Sequence, residues 1–500
     1  MLGKTDPQIN FFDSYIEEYF LPQEHELLKI QKEIDFSFIE EETEDLYAKV
    51  AGRPSYPPGV MFRILFLEFY YNLSDVEVVK QLKFNVLFRY FAAIKIEGPL
   101  PDDTSLVVFR KRLGEERFER IFDKFIKQCK TKGLLKEKLK IIDATHIIAD
   151  VAIPNTVNLL REGRKRVLRQ LEKENKELLE PLRRYLSQKE PLRRLTKEDL
   201  VKELSLSKEL IKEVKGKHSP RVEKIINLLE KAVEPEKKRK LVSFVDPEAR
   251  FGTKSKKTKF AGYKAHVAED ESQIVTSVQT ILGDENEGNG AHLESMLEKE
   301  DEKGLIAEAV VCDALYDTLS NRLNITKRGI KHYIPERRKK KRLNDFIYSE
   351  KEDKLICGKG YSSIGKTHYQ NGYSYYFSSR FCRRCDRRKE CPLNKGRAMV
   401  HVSESHLLYI KADPEERKEA LKKRKRIEAK FGEAKRHHQM ARARYRGRWR
   451  VAIQVFMTFT VMNLKRMVKL LEIKENSVKF AFPSGWITKR TTDSPKIGKI

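Results

Sequence analysis

Leu139 to Asp150 reads LKIIDATHIIAD. Upstream of it, apolar residues recur at helical intervals. Within it they alternate, which puts Ile141, Asp143, Thr145 and Ile147 on one side of an extended strand. That change of period makes the chain α/β. It also places an acid in mid-strand among apolar neighbours, where Asp is disfavoured unless it has a task. The plainer reading of such an Asp is an edge or turn residue.

Working outward, further sheet signals follow. Phe260–Ala268 and Gln273–Leu282 form a hairpin across Glu269-Asp270-Glu271-Ser272. Ala307–Cys312 is a short buried strand ending at Asp313, and Ile330–Ile334 is another, closed by Pro335. Helices are expected over Glu287–Lys299 and from about Ser320. An acid at the carboxyl end of a strand in an α/β sheet stands where ligands bind. Helix capping is an equal alternative for Asp313.

Before the strand lies helical sequence. Residues 1–50 are acidic and amphipathic, with Glu40-Glu41-Glu42, and read as an N-terminal arm. GRPSYPPG (Gly52–Gly59) interrupts. Val60–Tyr71 is a buried helix, Ser74 and Glu77 make a capping box for the next, and Val86–Ile94 is a third apolar segment. After a break at Pro99–Asp103, Thr104 or Ser105 caps a helix to Leu113, and Glu115–Cys129 forms one more. This all-α stretch suits a helix-turn-helix-like DNA binder, or a plain scaffold.

Residues 156–240 are rich in Lys, Glu and Leu, with Leu168, Leu171, Leu178, Leu182 and Tyr185 at helical spacing, divided by Pro181 and Pro191. They read as a coiled-coil-like insertion serving as spacer or dimer arm. The expected organisation is a helical DNA-binding module (1–132), a core in two parts (133–155 and 241–335) around the helical insertion (156–240), a β-rich insertion (336–411), a charged helix and an apolar helix returning to the core (412–475), and a flexible tail (476–500).

Charge narrows the function. The chain carries 102 Lys and Arg against 74 Asp and Glu, a net +28, which points to a polyanionic partner. Leu421 to Arg450 holds 13 Lys/Arg and two Glu, interleaved with Ile427, Phe431, Tyr445 and Trp449. That mixture suits DNA, and makes Arg442, Arg444, Arg446 and Trp449 candidates for a DNA track. No run approaches the ~18 apolar residues of a membrane span, and Val451–Leu464 reads as a buried helix. MLGKTDPQIN has no signal-peptide pattern, so an intracellular site with reduced cysteines is expected.

Arg424 to Lys435 reads RKRIEAKFGEAK. At about 100° per residue, Arg424, Glu428, Phe431 and Lys435 share one helix face, and His438 and Arg442 continue it. Such a face would bury three charges if it were a core stripe. An exposed helix with ion pairs is the bland reading. The sharper one is a metal-ligating carboxylate flanked by phosphate-gripping cations. Asp143, Asp313 and Glu428 then form a three-acid constellation able to share two divalent ions about 4 Å apart. All-oxygen ligands favour Mg²⁺ or Mn²⁺. Arg424 and Lys435 would hold phosphates.

These residues resemble the DDE transposases of bacterial insertion sequences that carry a Tyr-Arg-Glu-Lys signature. Arg424-x3-Glu428-x6-Lys435 matches that signature, with Leu421 in place of its Tyr. IIDAT resembles the strand of the first Asp, VVCDALYD the turn of the second, and GRPSYPPGVMFRILFL and PDDTSLVVFRKRLGEE the N-terminal module. The resemblance implies an RNase H-like core with Asp143, Asp313 and Glu428 catalytic, a β-rich insertion before the Glu helix, and a bacterial or archaeal host. It implies a dimer that binds the element's ends, hydrolyses the strands and joins the 3′-hydroxyls to target DNA. A DNA-binding regulator and a nuclease without strand transfer are the alternatives.

Cys357, Cys382, Cys385 and Cys391 form a second constellation, with tetrahedral spacing for one structural zinc; four free or redox-active thiols are the alternative. Cys129 and Cys312 read as buried thiols. His437 and His438 could touch DNA, while His146, His266 and His292 read as structural.

Overall fold

The computed structural model describes residues 2–3, 11–48, 52, 54–174, 176–186, 196–234, 241–254, 258–337, 346–389, 391, 393 and 398–481. Pro191, the basic run after Arg337 and the chain beyond residue 481 lie outside them.

The N-terminal helices are α1 (Phe11–Tyr19), α2 (Glu26–Glu33), α3 (Phe38–Thr43), α4 (Pro58–Tyr70), α5 (Asp75–Phe84), α6 (Val86–Phe91) and α7 (Asp103–Thr131). Pro58 opens α4 at a position where its missing N–H costs nothing. The capping box of α5 forms as expected, with Glu77 N donating to Ser74 Oγ (3.2 Å) and Ser74 N to Glu77 Oε2 (2.8 Å). α7 is capped by Asp102, two or three residues earlier than expected; its Oδ1 accepts from Ser105 N at 2.7 Å. Gly114 (φ 62°, ψ −176°) breaks α7 where the two-helix reading put its boundary. Residues 1–50 are not a peripheral arm: α2 and α3 bury Leu27, Ile30, Phe38 and Ile39 in the main core.

The large sheet has β1 (Leu139–Ile148), β2 (Arg250–Thr253), β3 (Lys259–Asp270), β4 (Val275–Leu282), β5 (Ala309–Val311) and β6 (Lys331–Tyr333). Its order is β2-β3-β1-β5-β6, with β4 also paired to β3. β1 runs antiparallel to β3, and β3 to β4; β1, β5 and β6 are parallel. Strand alternation sends successive side chains to opposite faces. Ile141 joins the core shared with the N-terminal helices, and Ile142 joins a second core under α12 (Gly290–Glu302) and α13 (Leu319–Lys327).

α17 (Arg448–Ala481) covers the first face. Val451 to Leu464 is buried throughout. Asn463 docks on β4 like a neighbouring strand, accepting from Val275 N (2.9 Å) and donating to Val275 O (2.7 Å). α17 continues to Ala481, past the expected start of the tail at 476, and its apolar character keeps Val468 buried. One contiguous core therefore joins the N-terminal helices, the sheet and α17.

The 156–240 insertion holds α8 (Thr156–Glu174), α9 (Leu179–Leu182), α10 (Lys197–Val214) and α11 (Pro220–Val233) around its own core. Arg164 is buried inside it, paired with Glu203 and donating to Ser207 Oγ at 2.8 Å. The second insertion holds β7 (Ile347–Ser349), β8 (Lys354–Ile356), β9 (Gly365–Tyr369), β10 (Gly372–Tyr376), α14 (Ser379–Arg383), β11 (Met399–Ser403) and α15 (Glu404–Lys411) around Phe346, Leu355, Tyr375 and Val402. It leads into α16 (Pro414–His437). Among the described residues no helix is long and apolar enough to cross a membrane.

Candidate active site

Parallel pairing sets Leu139 beside Ala309, Lys140 beside Val310 and Ile141 beside Val311. Extended by two residues, the same register would set Asp143 on β1 level with Asp313 just past β5, and the Asp313 charge does act on Asp143. Adjacent strands lie ~5 Å apart, so that register would make these acids neighbours across 170 residues of chain. Asp143 Oδ1 accepts from Ala144 N at 2.8 Å. Asp313 Oδ1 accepts from Leu315 N at 2.7 Å and caps the turn Ala314–Tyr316, so the capping reading of Asp313 holds.

α16 supplies the third side. Ile427, Phe431 and Ala434 anchor it to the main core. Arg424, on its outward face, donates from Nη1 to Asp143 Oδ2 at 2.8 Å, while Nη2 lies 3.5 Å from Glu428 Oε1. Asp313 thus lies close enough for its charge to act on Asp143, and Glu428, with 64% of its side chain exposed, is linked to Asp143 through Arg424.

The electrostatics match this crowding. Burial, with the nearby Asp313 and Glu287 charges, pushes Asp143 up to about 6 against the pull of the Ala144 N–H and Arg424. Burial raises Asp313 as well, with Glu287 adding to it. Glu287 was not singled out from sequence. It lies in GDENEGNG, where acids are too common to stand out. Only the fold shows its setting: Lys264 Nζ binds its Oε2 at 2.6 Å, and Asn321 ties the adjacent Gly288 carbonyl (3.0 Å) to the Tyr316 carbonyl (2.9 Å). Tyr316 is buried beneath the acids, and its hydroxyl has no hydrogen-bond partner among the described residues.

Two family models match this chain. Residues 16–112 match one described as Transposase domain (DUF772), and residues 356–468 match one described as Transposase DDE domain. The second span contains Arg424, Glu428 and Lys435. Both matches support a DDE transposase of insertion-sequence type. No solved structure matches it.

In this chain the helix face carrying Glu428 is shorter than expected. α16 ends at His437, so His438 and Arg442 do not continue it. His438 turns inward, is 1% exposed, and donates from Nδ1 to Phe69 O at 3.2 Å. Lys435 remains on the helix, 3.3 Å from His146 Nδ1. Arg442 and Arg446 are exposed, with Arg442 paired to Asp150 at 3.0 Å. Arg444 points inward, to Glu68 and the Leu73 carbonyl, both at 3.0 Å. This engagement takes it off the exposed track, because Glu68 is itself buried and needs a cation. Trp449 is half-buried against the core, with Arg450 4.6 Å above its ring.

The four cysteines of the second insertion are unbonded to one another. Cys357, Cys382 and Cys391 pack beside its core, and burial together with the other three thiols raises Cys382. Among the described residues, no group of three or more His, Cys, Asp or Glu is drawn close enough to hold a metal as it stands. The acids and the thiols are gathered, not closed.

Proposed function

We propose that this transposase binds the ends of an insertion sequence, hydrolyses the DNA strands there and joins the freed 3′-hydroxyls to target DNA. The observation that carries the reading is the parallel pairing of β1 with β5, which ends two residues short of Asp143 and Asp313 and leaves the Asp313 charge acting on Asp143, beside the Arg424–Glu428 pair of α16. The order of β1 and β3–β6, with α17 on one face and α12 and α13 on the other, supports an RNase H-like core. The donor set fits hard divalent cations: Asp143, Asp313 and Glu428 offer only carboxylate oxygens, and the first two are held at raised pKa by crowding that a cation relieves. These residues would hold two Mg²⁺ or Mn²⁺ ions, which supply positive charge at the phosphodiester under attack.

Arg424 and Lys435 hold phosphates of the scissile strand, and Arg442, Arg446 and Trp449 extend the DNA contact. The net charge of +28 supports a DNA partner. Two ends must be held together, so the working form is a dimer acting on the cell's own DNA in the cytoplasm. The Cys357, Cys382, Cys385 and Cys391 thiols hold one structural zinc that pins the small second sheet. Metal analysis of the purified chain is then expected to find one zinc, lost in Cys385→Ser; a zinc-free wild type that melts unchanged in chelator would remove it.

Incubating the purified chain with Mg²⁺ and a plasmid bearing the element's ends separates the readings. Joined products support transposition, cut but unjoined ends a nuclease, and binding alone a regulator. Glu428→Ala is expected to keep DNA binding and lose cleavage by on the order of 10³-fold. Equal cleavage by that variant would exclude Glu428 from the site.

A further inference from the structure

Two basic side chains meet where the sheet faces the end of α16, and the charge of a third, Lys254, reaches both. Lys435 Nζ lies 3.3 Å from His146 Nδ1. A lysine only donates, so His146 Nδ1 accepts and its proton sits on Nε2, free for another partner. The His146 ring lies 5.2 Å from that of Phe260, which is buried and keeps the imidazole in place. Lys254, just past β2, closes the group; its backbone N–H bonds the Thr258 carbonyl at 2.9 Å.

Among the described residues neither Lys254 nor Lys435 is paired with a carboxylate. Other lysines of the sheet and α16 are: Lys264 pairs with Glu287, Lys423 with Glu271, Lys140 with Glu300. The strain registers electrostatically. Burial, then Lys254, lowers Lys435 to about 8. Burial, then Lys435 and Lys254, lowers His146 to about 4, so the ring is neutral at pH 7. A half-buried ammonium beside a second lysine, with no acid in reach, is unfavourable until an anion arrives.

We propose that His146 and Lys254 join Lys435 in a phosphodiester subsite that holds the DNA backbone three residues along β1 from Asp143. That separation is about 10 Å along the strand, and the odd spacing turns His146 to the face opposite Asp143, so the phosphate gripped there differs from the one at the acids. Lys254 and the free Lys435 protons supply charge, and His146 Nε2–H a neutral donor. The inference rests on the DNA-binding reading above.

The test is a salt titration, without divalent ions, of the full chain binding a fluorescein-labelled mixed-sequence DNA duplex, read by anisotropy. The logarithm of the wild-type affinity should fall linearly with the logarithm of salt. Lys254→Gln should make the slope shallower by about 0.9, the value for one phosphate contact. His146→Leu should weaken binding severalfold, with partial rescue by His146→Gln, which retains a donor. Lys327→Gln, an exposed charge on α13, should leave the slope at the wild-type value. Wild-type slopes and affinities in the Lys254 and His146 variants would overturn the subsite, as would an equal change in Lys327→Gln. A wild type with no salt-dependent binding would instead remove the DNA-binding reading itself.

Discussion

Asp143→Asn is expected to abolish DNA cleavage and at the same time to raise the melting temperature at pH 8. The first effect follows from losing a carboxylate at the reacting centre, on the order of 10³-fold or more. The second follows from linkage. In the folded chain Asp143 titrates near 6, against 3.8 for a free side chain, chiefly because burial and the neighbouring acids disfavour its charge. A raised acid contributes stability while it is neutral. That contribution is complete below about pH 4 and is lost as the pH rises to about 6. At pH 8 the charged form therefore costs up to about 3 kcal/mol, from a shift of roughly two units at 1.36 kcal/mol each. Asn carries no charge at any pH and escapes the cost. Wild type and variant should melt apart at pH 8 and together near pH 3.5, as thermal denaturation at the two values can show. A variant that cleaves normally would remove Asp143 from the site; one less stable at pH 8 would mean that the Arg424 pair outweighs desolvation.

Gly288→Ala is expected to cripple the enzyme without touching any charged residue. A Cβ at Gly288 would lie 2.2 Å from the Leu315 carbonyl oxygen, 2.6 Å from its carbon and 3.2 Å from Tyr316 N. All three are backbone atoms of the turn that Asp313 caps, so no side chain can swing aside. Either the 286–288 loop retreats, breaking the Asn321 tie, or the turn moves and takes Asp313 with it. A displacement of about 1 Å at a reacting group costs about 10²-fold in rate, and overpacking of this kind about 1–3 kcal/mol in stability. Gly365→Ala is the control, since a Cβ there meets nothing within 4 Å and should change neither quantity. Cleavage and melting by Gly288→Ala at wild-type levels would show that the turn tolerates movement.

Both cases show where the sequence was legible. The period change at Leu139–Asp150 announced the sheet, and the capping box at Ser74 announced α5, because both are local signals written in neighbouring residues. The Arg424–Lys435 spacing brought Arg424 and Glu428 to one face for the same reason. The misreadings were of another kind. His438 belonged to the face by periodicity, yet α16 stops at His437 and the ring is drawn under Phe69. Arg444 looked like one more DNA arginine, but a buried glutamate 376 residues earlier claims it. The acidic first 50 residues looked detached, and their apolar side instead completes the main core.

By itself the sequence determined most of the helices and strands, since periodicity and capping are properties of adjacent residues. Only the tertiary structure decided which acids feel one another's charge. Strand register, extended by two residues, would set Asp143 level with Asp313, a one-residue slip would turn either to the opposite face, and no local pattern records the pairing of two strands so far apart in the chain. The same holds for Glu287 and for the lysine pair beside His146. Their meaning lies in what stands across from them, and that is a property of packing, in which burial turns ordinary charges into groups that need partners.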